Sequence, residues 1–96
     1  MSLENWWKRK ARRVAKFARE QKWDVVLLSE VKASDCGLVW LGQDEELVAI
    51  IHGEKAAILL TGDTLRRWCE GGQRKKWSRR TVSIKVEGVV LVVGSG

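Results

Sequence analysis

A chain of 96 residues with 45% apolar side chains forms one small domain with a thin core, which excludes both a disordered chain and a large multidomain enzyme. No stretch approaches 18 apolar residues, and the basic, Trp-bearing N-terminus lacks the apolar core of a signal peptide, so no membrane partner and an intracellular origin, cytoplasmic or nuclear, are expected. The net charge of +6 hides an asymmetry: residues 1–22 sum to +6, residues 23–62 to −5 and residues 63–96 to +5. Basic ends around an acidic middle suit a nucleic-acid partner through counterion release, and equally suit self-association through complementary patches.

In chain order, the first predicted element is a helix over residues 3–21. Leu3, Trp7, Ala11, Val14 and Ala18 form an apolar stripe at spacings of three and four, flanked by Trp6 and Phe17. Ser2 is a candidate N-cap and Glu4 suits the first turn. The opposite face carries Lys8, Arg9, Arg12, Arg13, Lys16 and Arg19, readable as a phosphate-binding stripe or as a plain solvated face. The run Val25–Leu28 predicts a strand with Glu30 just past its end.

A turn over Ala33–Gly37 leads to the apolar run Leu38–Leu41. The acidic turn Gln43–Glu46 leads to Leu47–Ile51, and His52-Gly53-Glu54 leads to Lys55–Leu60, a pattern of hairpins. Asp63–Glu70 predicts a short helix, with Thr61 or Asp63 as cap and Gly71-Gly72 as stop. Gln73–Ser78 reads as a basic loop. Two final strands, Thr81–Val86 and Val89–Val93, are joined by a two-residue turn at Glu87-Gly88. Residues 1–93 thus form a single α+β domain, and Gly94-Ser95-Gly96 reads as an appended tail.

Chemistry-bearing residues are sparse. Glu30 is a candidate metal ligand at a strand end, with Asp35 near it in sequence, while Asp44, Glu45 and Glu46 read as solvated turn charge. His52, the single histidine, reads as a surface residue at a strand end. Cys36 and Cys69 lack CxxC spacing and further zinc ligands, and no nucleophile elbow or P-loop spacing occurs. Arg74, Lys75 and Lys76, following Gly71-Gly72, join Arg9, Arg12, Arg13 and Lys16 as candidate nucleic-acid contacts. Trp68 and Trp77, interleaved with Arg66, Arg67, Arg79 and Arg80, are open to two readings: base stacking, or for Trp68 an anchor of the short helix.

The succession of a basic helix, WDVVLLSE, GLVWLG, AAILL and RRTVSIKVEGVVLVV resembles the N-terminal half of an endonuclease/exonuclease/phosphatase domain. The likeness covers residues 6–93 and is nearest to the apurinic-type endonucleases of trypanosomatid non-LTR retrotransposons. It implies that Glu30 corresponds to the metal-binding Glu of that superfamily, with Mg2+ as the metal if a complete site is assembled. The superfamily's first strand with its Asn, and its Tyr, Asp-x-Asn and Ser-Asp-His motifs, are not in this sequence, so no catalytic residue is assigned and no cofactor is expected for one chain.

The resemblance also implies an architecture. A long N-terminal amphipathic helix would pack on one mainly antiparallel sheet of about five to six strands, with a short second helix. That arrangement is half of an α/β/β/α sandwich. A half sandwich leaves its inner sheet face bare, so the expected partner is a second copy, most simply in a two-fold dimer. Weak nucleic-acid binding, and a nuclease assembled by dimerisation, are the alternatives.

Overall fold

The computed structural model describes residues 3–29, 31–43 and 46–94, with the side chains of residues 3–8 outside that description. It is α+β, with two helices and seven antiparallel strands in two sheets. The elements run α1 (Leu3–Glu20), β1 (Val25–Ser29), β2 (Gly37–Leu41), β3 (Val48–His52), β4 (Ala56–Thr61), α2 (Gly62–Glu70), β5 (Lys75–Trp77), β6 (Thr81–Val86) and β7 (Val89–Gly94). The four-stranded sheet has the order β1-β4-β3-β2 and the three-stranded sheet the order β5-β6-β7.

Strand parity explains the layers. Ile50 lies opposite Leu59, and Ala49 opposite Leu60, so successive residues of β3 and β4 point to opposite faces of the sheet. On one face, Val48, Ile50, Ala57 and Leu59 pack against Ala11, Ala15 and Ala18 of α1. These three alanines fall one turn apart, and their small side chains let the helix backbone approach the sheet closely. On the other face, Ala49, Ile51, Ala56, Ile58 and Leu60 pack against Val82 and Ile84 of β6 and Leu65 and Trp68 of α2. Every residue of β3 and β4 is buried. Each large aliphatic side chain buried there contributes about 1.5–3 kcal/mol, so these two strands dominate the stability of a thin core.

Two expectations are corrected. The strands do not form one sheet of five to six members: β6 pairs with β7 and with β5, the Lys75–Trp77 stretch expected as loop, and none of the three pairs with a strand of the four-stranded sheet. The chain is therefore not one layer of a sandwich with a bare inner face, since α1 and the second sheet cover both faces of the first. Helix α1 spans 18 residues, Leu3–Glu20. Gly94 is the last residue of β7 and lies opposite Thr81.

Local signals behave as their chemistry requires. Glu87 and Gly88 both have positive φ, 49° and 84°, the turn that matches the twist of a tight hairpin. Thr61 is the N-cap of α2 by position, but its hydroxyl donates to the Trp23 carbonyl at 2.8 Å instead of capping. Gly62 has φ 60°, and a Cβ there would meet Asp24 Oδ1 at 2.9 Å, so glycine lets Asp24 close on the start of α2. At the other end, Gly71 donates its N–H to the Arg67 carbonyl and stops the helix. No helix is long and apolar enough to cross a membrane.

Candidate nucleic-acid interface

Because the alanines of α1 face the sheet, with Val14 packed beside them, the described basic residues of the helix face water. Arg9, Arg12, Arg13 and Lys16 are all exposed, and their spacing of three and four places them in one stripe along the helix. None has an ion-pair partner among the described residues. Three of the cations nearer the C-terminus differ: Arg66 pairs with Asp63 at 3.2 Å, Arg67 with Glu87 at 3.6 Å and Arg79 with Glu54 at 3.0 Å. Arg19, at the end of the stripe, is tied down by donating to the Glu46 carbonyl at 2.8 Å. That bond closes one end of a shallow groove of about 490 Å³ between α1 and β2, to which Arg12, Lys16 and Arg19 contribute.

The second basic cluster is not brought to the first. β5 belongs to the three-stranded sheet, which lies on the opposite side of the four-stranded sheet from α1. Within that cluster the three cations part company. Lys75 faces inward with Ile84 and sits half-buried, its ammonium 5.8 Å from the Trp68 ring centroid and 5.6 Å from that of Trp77. Lys76 lies opposite Ser83 on the outer face and is exposed, as is Arg74. Arg74 and Lys76 border a depression of about 350 Å³ with Lys85 and Val90.

Trp68 is fully buried, and its indole N–H donates to the Arg74 carbonyl at 2.9 Å. It anchors α2 to the core and fixes the chain entering β5, so it is not a stacking platform. Trp77, 37% exposed on its strand, retains an accessible ring edge.

The carboxylates do not gather. Glu30 lies outside the described residues, as do Asp44 and Glu45; Asp35 and Glu46 are exposed. Among the described residues, no three His, Cys, Asp or Glu side chains come together. His52 is buried rather than on the surface, 5% exposed, with Nδ1 3.3 Å from the Gly53 carbonyl. The room for its burial comes from Gly37: that residue lies opposite His52, and a Cβ there would stand 3.0 Å from Nε2. Cys36 and Cys69 are both free thiols.

No known protein family, no curated protein and no solved structure matches this chain.

Proposed function

We propose that this chain is a non-specific nucleic-acid-binding module on a small α+β domain with an endonuclease-like sequence motif, without catalysis of its own. The observation that carries the reading is the condition of α1's cations. Arg9, Arg12, Arg13 and Lys16 are exposed in one stripe without carboxylate partners among the described residues, while Arg66, Arg67 and Arg79 are neutralised. A row of free cations on a rigid helix suits the regular negative charge of a phosphate backbone, and it reads charge rather than base sequence. The endonuclease likeness spans residues 6–93 of the sequence, but only the strand ending in Glu30 corresponds to a functional motif. A single carboxylate supplies too few ligands to hold a magnesium ion for hydrolysis.

The test is a fluorescence-anisotropy titration of labelled single- and double-stranded DNA at several salt concentrations. Four phosphate contacts give a slope of about −3 to −4 in log K against log salt, with little preference among sequences. Arg9→Glu, Arg12→Glu and Arg13→Glu together remove most of the affinity and leave the circular dichroism spectrum unchanged. Undiminished binding by that variant overturns the reading. A plasmid-nicking assay with magnesium addresses catalysis separately. Nicking abolished by Glu30→Gln replaces this reading with a nuclease whose site is completed by a second copy.

A further inference from the structure

We propose that two copies of this chain associate through strand β7, pairing antiparallel about a two-fold axis at Leu91 so that two three-stranded sheets become one of six strands. The inference begins with the direction of the backbone groups. Lys85 donates its N–H to the Arg74 carbonyl, on the β5 side of β6. Its partner on β7 is Val90, so Lys85 and Val90 form a pair without mutual hydrogen bonds. Alternation then turns the N–H and C=O of Val90 and Val92 away from β6, toward the free edge. No backbone hydrogen bond from β7 to anything but β6 occurs among the described residues.

An edge of this kind is normally protected by a charge, a proline or a bulge. β7 has none: it reads Val89-Val90-Leu91-Val92-Val93-Gly94, and its register with β6 is unbroken. Its five apolar residues also read the same in both directions about Leu91. An antiparallel two-fold pairing therefore sets Val90 against Val92 of the copy, and Leu91 against Leu91, with all four outward backbone groups of Val90 and Val92 satisfied. Self-complementarity of this type is what a two-fold interface requires.

Charge selects the edge over the face. Val90 and Val92 are 58% and 59% exposed on the outer face, which they share with Lys76 and Lys85. Stacking two such faces would bring these lysines against their own copies at about 10 Å. Edge pairing instead leaves two β7 strands between the two Lys85 columns, a separation of roughly 14 Å at ordinary strand spacing. The like charges are therefore further apart than in face stacking and more strongly screened, the Debye length being about 8 Å at physiological salt. The neighbouring edge strand β1 also has an open side, with Leu27 48% exposed.

Sedimentation equilibrium over the micromolar range, with Val92→Pro beside the wild type, tests the proposal. The proline removes an N–H aimed at the free edge and breaks no bond to β6, so the fold and its melting transition are retained. Wild type is expected to be dimeric at high micromolar concentration and Val92→Pro monomeric. A monomeric wild type overturns the proposal, as does a folded Val92→Pro that remains dimeric. Should Val92→Pro not fold, Val90→Lys and Lys85→Glu decide: edge pairing is weakened several-fold by the first and unmoved by the second. Any other pattern of those two rejects it.

Discussion

Strands β4 and β7 are equally apolar and meet opposite fates. In β4, Ala56–Thr61, every residue is buried; in β7, Val89–Gly94, Val89, Val90 and Val92 are each more than half exposed. The difference is one of position. β4 lies between β1 and β3, with α1 on one side and the second sheet and α2 on the other. β7 is the last strand of the second sheet, with only its inner side chains, such as Leu91 and Val93, packed against the core. An apolar run announces a strand, but the number of layers that cover it is a property of the topology.

Substitutions can break that comparison at several depths. The largest effect is expected at two adjacent residues of β4 that point to opposite faces. Ile58→Ala opens a cavity beneath the second sheet and Leu59→Ala one beneath α1, each costing about 2–5 kcal/mol. Chemical denaturation measures both, and a small loss at either position would mean that its face is not covered. Next comes Trp68→Phe, which leaves the Arg74 carbonyl without its indole donor and removes part of a buried ring. A loss of about 1–3 kcal/mol is expected, with earlier hydrogen exchange in β5 than in β3. The smallest effect is expected at Val90→Thr, measured in dilute solution, where stability stays within about 0.5 kcal/mol of wild type. A large loss there would show that β7's outer face is buried after all.

The elements themselves were legible from their residues. Helix α1 follows its alanine spacing, α2 stops at Gly71, and Glu87-Gly88 makes the predicted turn. β5 was not legible because Lys75-Lys76-Trp77 has neither an apolar run nor a clean alternation; it is strand only because β6 supplies a partner. The division into two sheets was hidden for the same reason, since long-range pairing leaves no local mark. At the candidate interface, the stripe Arg9, Arg12, Arg13 and Lys16 could be read from helical spacing. That Arg74 and Lys76 lie on the far side of the molecule could not, because it depends on which face of the first sheet each element covers. His52 was misread because a polar residue at a strand end is usually solvated; the space beside it comes from Gly37, contributed by another strand.

The order β1-β4-β3-β2 has a consequence for how the chain acquires its shape. β2, β3 and β4 follow one another as neighbours through short connections, so they can assemble from local contacts in microseconds to milliseconds. β1 must wait, since Val25 pairs with Leu60 and the whole of that meander lies between them. α1 must wait longer, because the surface that receives Ala15 and Ala18 includes Val26 and Leu28 of β1 as well as Ala57 and Leu59 of β4. During synthesis α1 therefore leaves the ribosome before the sheet that receives it and docks only once β4 has formed. Until β4 has been made, its apolar stripe has no surface to cover, and a basic amphipathic segment is held in solution chiefly by its own charge.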